Sequence, residues 1–344
     1  MEKIISFAIP CYNSASYMSK CIDLLVQVGE EIEVLIIDDG SIKDNTFEIA
    51  KEFENKYPTI VKAIHQANKG HGGAVNTGLA NASGRYFKVV DSDDWINTED
   101  VLKLLSHIKN NEIDVDLYVT NYVYERVYKN ESHSVKYGKY LKENTVISWQ
   151  ESKPFPALSP MLMHSLLYKT SILREKTNLK LPEHTFYVDN IYAYAPMSEV
   201  KTIYYVDIDL YHYFIGRSDQ SVTTTNMFNR YEQQIRVFKE MFFAHSYEKL
   251  MSLPKRLKVY LIHDLKQIYA VTGFFVICGK DNAKVRKQKY KEFLKELEKR
   301  DPKLRRYLKY KSYNTIISWL PWGMQSFIGR IAYKILAKKM KLGA

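Results

Sequence analysis

The sequence predicts an α/β protein in which a mostly parallel sheet with flanking helices is followed by a C-terminal helical region. Three observations carry this. Over roughly the first 110 residues, short apolar runs of strand character alternate with segments whose apolar residues recur at helical spacing. Acids, glycines and asparagines collect where those runs end, as expected for a sheet that binds ligands beyond the carboxyl ends of its strands. After about residue 226 the periodicity is helical throughout, with Pro254 and Pro302 marking breaks.

Residues 4–9 are apolar except for Ser6, the pattern of a strand buried on both faces, and Pro10 is expected to stop its ladder. Tyr17, Met18, Cys21, Ile22, Leu25 and Val28 then fall at helical spacing. A second buried strand over 33–37 runs into Asp38-Asp39-Gly40-Ser41, where Gly40 permits a sharp turn and Ser41 can start the next helix. Phe47, Ala50, Phe53 and Tyr57 give residues 44–57 one apolar face. A third strand over 60–65 leads to a Gly-rich turn, Asn68-Lys69-Gly70-His71-Gly72-Gly73, with a helix expected across 74–82. The fourth strand, 86–90, delivers Asp91-Ser92-Asp93-Asp94. Residues 115–215 read as a mixed β section with small helices, rich in valine and tyrosine.

The chain of 344 residues is long enough for two domains, and 46% hydrophobic with 26% charged residues excludes wholesale disorder. The expected division is 1–225, 226–311 and 312–344. From Pro254 onward stand 23 Lys and Arg against 6 Asp and Glu, a surplus of +17 in a chain of net charge +11, so the remainder carries −6. An acidic body with a basic tail points to an anionic surface as partner of the tail. Cys11, Cys21 and Cys278 show neither metal spacing nor an even-numbered disulfide framework, which fits a reducing compartment. The N-terminus reads as a first strand, not a signal peptide, and no run approaches the ~18 apolar residues of a spanning helix.

The acids after the fourth strand pose the sharpest chemical question. Carboxylates held this close are costly unless a cation neutralises them, and a divalent ion bridging to phosphate does so. The structural alternative is a polar loop in which Asp94 or Thr98 caps the following helix. Asp38 and Asp39, at the end of their strand, can accept hydrogen bonds from a base or a ribose, or simply make an ordinary turn. Tyr12 offers a flat ring, and Asn13 can cap a helix or bind backbone. Cys11 has no histidine near it in sequence and reads as a packing residue. Amides of the turn around Lys69 and Gly70 could face a phosphate, although this is neither a Walker loop nor G-x-G-x-x-G.

Taken together, Pro10-Cys11-Tyr12-Asn13, Asp38-Asp39-Gly40-Ser41, the Asn68-x-Gly70 turn with Asn76, and Asp91-Ser92-Asp93-Asp94 occur in order at successive strand ends. This set resembles glycosyltransferase family 2, inverting enzymes of GT-A fold that use nucleotide-diphosphate sugars, here of the bacterial cell-surface glycan type; the likeness spans roughly residues 1–220. The resemblance implies that Tyr12 flanks the base, that Asp39 binds uracil, and that Asp91 and Asp93 hold Mg²⁺ or Mn²⁺ against the diphosphate. Pro10, Asn13, Lys69, Gly70, Asn76 and Ser92 would complete the donor site. Relatives often carry Ala-Arg-Asn where this chain has Ala74-Val75-Asn76, so Lys69 or Arg217 would supply the missing cation. The matching catalytic base is Asp189, with Glu183 in reserve; the structural alternative is that Asp189 caps the helix that follows. For His212, a satisfied core histidine is the reading preferred over a metal contact.

Met324, Phe327, Ile328, Ile331 and Ile335 fall on one helical stripe, flanked by Arg330, Lys334, Lys338 and Lys341, with Trp319 and Trp322 upstream. That pattern describes a helix lying in a membrane interface; the alternative covers for the stripe are the catalytic domain itself or a second copy in a homo-oligomer. No nucleic-acid reader module is present. The expected protein is thus a metal-dependent hexosyl- or N-acetylhexosaminyltransferase, peripheral on the cytoplasmic face of the membrane, moving a sugar from a UDP-sugar to a lipid-linked or surface-glycan acceptor. A non-catalytic assembly protein of the same fold and a nucleotidyltransferase are the alternatives. The latter would want a Gly-rich, cationic loop after the first strand, where Pro10-Cys11-Tyr12-Asn13 stands.

Overall fold

The computed structural model describes residues 2–111, 113–157, 159–216, 228–311, 320–325, 327–328 and 331. The chain forms two compact units: Met1–Pro154 with Met161–Gly216, and Phe155–Pro160 with the residues that follow Gly216.

The first unit is built on an eight-stranded sheet. Its first half alternates β1 (Ile5–Cys11), α1 (Met18–Val26), β2 (Ile32–Asp38), α2 (Thr46–Lys56), β3 (Val61–His65), α3 (Gly70–Asn81) and β4 (Tyr86–Val89). Next come β5 (Trp95–Ile96), α4 (Thr98–Asn110), β6 (Leu117–Val119), β7 (Tyr122–Arg126), β8 (Glu131–Val135), β9 (Val146–Ser148) and β10 (Leu166–Lys169). The unit closes with α5 (Asp189–Tyr194), β11 (Thr202–Tyr205) and β12 (Tyr211–Phe214). The sheet order is β3-β2-β1-β4-β10-β6-β11-β9, and all pairs are parallel except those made by β10 and β9. A second sheet, β5-β12-β7-β8, carries the tyrosine-rich segments. The expected α/β architecture is therefore observed, and the mixed β section is resolved into strands that extend one sheet and build another.

Every residue of β1 is buried, as its unbroken apolar run requires when both faces are covered. Pro10 does not end the strand: the register with β2 runs on to Cys11 opposite Asp38. Cys11 O and Ala8 O accept from Asp39 N and Val90 N respectively, so carbonyls along β1 alternate between its two neighbours. Pro10 accordingly turns its missing N–H toward β4, beyond the last β1–β4 pair, Ala8 with Val89. Helix α3 begins four residues earlier than its sequence indicated, and within its first turn Gly72 and Gly73 sit where a Cβ would meet Pro182 O and the Lys69 side chain at 2.5 and 2.3 Å. Helix α4 is capped by Asn97, whose side chain accepts from Glu99 N at 3.0 Å, so neither Asp94 nor Thr98 takes that role. Ser41 likewise starts no helix; its Oγ accepts from Asn13 N at 2.8 Å, and α2 begins at Thr46.

The second unit packs α6 (Tyr231–Ala244), α7 (Tyr247–Ser252), α8 (Lys255–Cys278), α9 (Ala283–Arg300) and α10 (Pro302–Lys311) around aromatic contacts, Phe238 meeting Tyr269 and Phe293 at 5.3 and 5.7 Å. Pro302 occupies the first turn of α10, where its lack of an N–H costs nothing. Phe293, Leu297, Leu304 and Leu308, apolar positions of the basic run, are buried together with Arg286 and Arg305, while most of the lysines of α9 and α10 are exposed. Buried Arg286 donates to Val276 O and Ile277 O, satisfying carbonyls at the C-terminus of α8. Contrary to the sequence expectation, α8 is long and apolar enough by length and composition to cross a membrane; 67% of its apolar window is buried within the protein, which accounts for that hydropathy by packing. Of the predicted interfacial stripe, Met324, Phe327 and Ile331 are exposed, while Trp319, Arg330, Lys334, Ile335, Lys338 and Lys341 lie outside the described residues.

Helix α3 approaches the sheet closely at Gly78, where a Cβ would stand 2.7 Å from the Ala8 Cβ and 3.2 Å from Ile37 Cδ1. Gly78→Val is expected to cost about 1–3 kcal/mol, the usual penalty of overpacking, read as a lower urea midpoint at unchanged slope. An unchanged midpoint would show that α3 has room at this point.

Candidate active site

The parallel strands deliver their acids to one place. Asp94 is buried and hydrogen-bonded through both oxygens: the Tyr211 hydroxyl donates to its Oδ2 at 2.5 Å and Phe214 N donates to Oδ1 at 2.8 Å. The same hydroxyl accepts from Asp91 N at 3.2 Å, so one phenol ties the acidic turn to β12 at both ends. Burial, together with the charges of Asp91 and Asp93, raises the Asp94 carboxyl well above the ordinary range. Asp91 behaves oppositely. Burial would raise it, but His71, whose Nε2 lies 2.7 Å from Oδ1, lowers it by charge and hydrogen bond, with His164 adding to the effect. For His71, burial works downward, and Asp91, then Asp189 and Asp93, outweigh it and raise the imidazole. Each partner thus favours the charged form of the other, and the early start of α3 is what places His71 in the first helical turn, against the acids.

Asp189, the first residue of α5, faces the same pair. Burial raises its carboxyl, His71 pulls it down and Asp91 pushes it up again. The backbone before it is specialised: His184 and Tyr187 hold φ of 48° and 65°, a left-handed conformation that side chains with a Cβ rarely adopt and that tends to cluster at functional sites. Gly70 makes room for that loop, since a Cβ there would meet His184 Cα at 2.9 Å, and Lys69 O accepts from His184 N at 2.8 Å. Asn76 grips the segment from below, its amide bonding both Leu181 O (2.8 Å) and Leu181 N (2.9 Å). The amide of Asn76 is thereby committed to positioning this segment.

Around the ends of β1 and β2, Asp39 Oδ1 accepts from Gln66 Nε2 at 2.6 Å and from Lys69 N at 2.9 Å, joining two sequence candidates. Asp38 is paired with His65 Nδ1 at 2.6 Å. Asn13, at φ 51°, accepts from the amides of Ile42 and Lys43 instead of capping a helix. Tyr12 is 46% exposed, leaving its ring available to a ligand. Ser92 is buried and 3.0 Å from Ser14 Oγ. The Lys69 ammonium stands 3.9 Å from exposed Glu183. Burial, with the nearby Asp38 charge, pushes the Cys11 thiol far up, consistent with a packing role. His212 pairs with Glu125 at 2.8 Å and stacks on Trp95. Arg217 lies outside the described residues.

Four residues of the site were not singled out from the sequence: His164, Lys88, Tyr211 and Tyr213. His164 is buried between Tyr211 and Tyr213, with ring centroids 4.6 and 4.7 Å apart. Burial above all drives its imidazole down to about 4, so it is neutral at physiological pH. Lys88, fully buried in β4, donates to His164 O at 2.7 Å and to Leu166 O at 3.4 Å. Carboxylate oxygens of Asp91 and Asp94 and a ring nitrogen of His164 lie within 4.8 Å of one another, a donor set that fits a divalent cation. A lone histidine 70 residues beyond the acids gave no signal of its own; only the antiparallel insertion of β10 beside β4 brings it there.

The family described as Glycosyl transferase family 2 matches residues 6–169. Glycosyltransferase GlyA of Streptococcus pneumoniae serotype 4 is 32% identical over 238 residues, covering 63% of this chain and 31% of its own length. The poly(ribitol-phosphate) beta-glucosyltransferase of Bacillus spizizenii is 29% identical over 228 residues, covering 64% and 33%. The chain thus spans about a third of the length of these relatives. Among solved structures, S. aureus TarS 1-349 in complex with UDP-GlcNAc superposes with a TM-score of 0.61 at 21% identity, over 89% of this chain and 86% of that one, a likeness of fold.

Burial pushes the Lys88 ammonium down from its ordinary 10.5 to about 7. Between those values the unfolded chain binds more protons at this residue than the folded one does, so this contribution to stability rises with pH across the window. Comparing the parent with Lys88→Met from pH 7 to 10, the difference in unfolding free energy should move in the parent's favour by at least about 1.4 kcal/mol, one pKa unit's worth. A difference flat with pH would mean that Lys88 titrates normally.

Proposed function

We propose, from the match of residues 6–169 to glycosyl transferase family 2, that this chain is an inverting transferase that moves a sugar from a UDP-sugar to a lipid-linked or cell-surface glycan acceptor, with Asp189 as base. The observation that carries the reading is the convergence of Asp189 with the His71–Asp91 pair at the end of β4. The donor class follows TarS, whose structure holds UDP-GlcNAc, and the acceptor class follows the poly(ribitol-phosphate) glucosyltransferase.

In this mechanism the acceptor hydroxyl gives its proton to the Asp189 carboxylate as its oxygen attacks the anomeric carbon. The bond from that carbon to the diphosphate oxygen breaks, and its electron pair leaves with UDP; attack from the opposite face inverts the centre. A carboxyl lifted by burial is a stronger base than one in water. A divalent ion held by acids of the Asp91–Asp94 turn, Asp91 and Asp93 by family resemblance, would neutralise charge on the departing diphosphate. Asp39, Lys69 and Gly70 would border the nucleotide, with Tyr12 stacking on the base and Arg217 closing over the diphosphate. Exposed Glu183 is the reserve base.

The same proposal places the protein on the cytoplasmic face of the membrane. Cys11, Cys21 and Cys278 are free thiols, and exposed Met324, Phe327 and Ile331 belong to the stripe flanked by cations.

Two measurements test the reading. Asp189→Asn should lower turnover by about 10²–10⁴-fold, the range for loss of a general base, while UDP binding by calorimetry stays near the parent value. Unchanged turnover removes Asp189 from the chemistry. Deleting residues 313–344 should release the protein from anionic liposomes in a sedimentation assay; a truncated form that still sediments places the membrane contact elsewhere.

A further inference from the structure

We propose that His164 is a metal ligand, and that Asp91, Asp94 and His164 together form a site for a divalent first-row transition ion such as Mn²⁺ in preference to Mg²⁺ or Ca²⁺. The use of the ion in sugar transfer rests on the reading above; binding of the ion does not, and is tested without turnover.

Three independent features lead to this. The first is placement: a ring nitrogen of His164 and carboxylate oxygens of both aspartates fall within 4.8 Å of one another, close enough for one ion to touch all three. The second is an unmet hydrogen-bonding need. His164 is 6% exposed and its Nδ1 is buried with no hydrogen-bond partner. A histidine kept only for packing would be expected to satisfy its ring nitrogens, because an unpaired buried polar atom is costly. The third is the rigidity of the mounting. The ring is held between Tyr211 and Tyr213, inclined at 31° and 26° to them. Its backbone carbonyl is fastened by the Lys88 ammonium at 2.7 Å. Tyr211 also donates to Asp94 Oδ2, so a single tyrosine orients two of the three ligands, as outer-shell partners do at metal sites. Each Asp94 oxygen accepts only one hydrogen bond from these donors and keeps a lone pair for a cation.

The donor types set the choice of ion. All-oxygen sites suit Mg²⁺ and Ca²⁺, whereas an imidazole nitrogen among carboxylates moves the preference toward transition ions.

The test uses the metal-free full chain titrated with MnCl₂ and examined by electron spin-echo envelope modulation, which detects a nitrogen bonded to Mn²⁺. Nitrogen modulation is expected in the parent and in His71→Asn, and should vanish in His164→Phe, which keeps an aromatic ring between the two tyrosines. Mn²⁺ affinity should fall at least about 10-fold in His164→Phe, and a 100-fold excess of Mg²⁺ should displace little Mn²⁺ from the parent. His164→Gln, checked by circular dichroism and melting as folded, guards against a packing defect in the first variant and should also lack the modulation. Absence of nitrogen modulation in the parent, its persistence in both folded His164 variants, or its loss only in His71→Asn would overturn the assignment. So would an Asp93→Asn protein that no longer binds Mn²⁺ beside a His164→Phe protein that binds it as tightly as the parent.

Discussion

The structure around the fourth strand is organised by one electrostatic problem: three aspartates in four positions must share a largely buried turn. Repulsion is relieved by making the acids different from one another. Asp94 is lifted by burial and held by the Tyr211 hydroxyl and the Phe214 amide, while Asp91 is kept ionised by His71. Residues that look unrelated in sequence, His71 on α3 and Tyr211 and Phe214 on β12, meet these acids directly. The parallel sheet supplies the stage, since its strands end together on one side.

The placement of Asp189 depends on a second constraint, the loop with left-handed residues His184 and Tyr187 that leads into it. Three contacts define it: Lys69 O with His184 N, Gly70 beneath His184, and Asn76 with both polar groups of the Leu181 backbone. All three partners lie on α3 or the residue before it. The Gly-rich turn therefore seats the loop that carries Asp189, and His71 on the same turn meets Asp91. One short helical start thus joins the acidic turn after β4 to the segment before α5.

The strand–helix alternation of the first half was legible because buried parallel strands are written as unbroken apolar runs ending in turn residues. The errors there were local. Pro10 was read as a terminator because sequence does not show which neighbour its nitrogen faces, and the GHGG run was read as a turn because glycine disfavours helices when packing is ignored. The acids after the fourth strand stood out as a motif, and Asp189 was named only through the resemblance. His164, Lys88 and Tyr211 were not, since their place arises from β10 and β12 docking beside elements about 75 and 120 residues away. A buried lysine whose ammonium donates to two carbonyls and lies over the Tyr211 ring runs against pattern-based expectation.

The short excursion Phe155–Pro160 has a consequence for biogenesis. It belongs to the second unit, where Phe155 meets Tyr260 edge-on at 5.2 Å, yet it is translated in the middle of the first. Its partner helix emerges from the ribosome roughly 100 residues later, a delay of about 5–20 s at ordinary elongation rates. During that interval the nascent first unit must carry a proline-rich apolar strap with nothing to dock on. Neither unit can be excised as a contiguous piece, so recombination that swaps the helical half between proteins would have to carry this hexapeptide along with it.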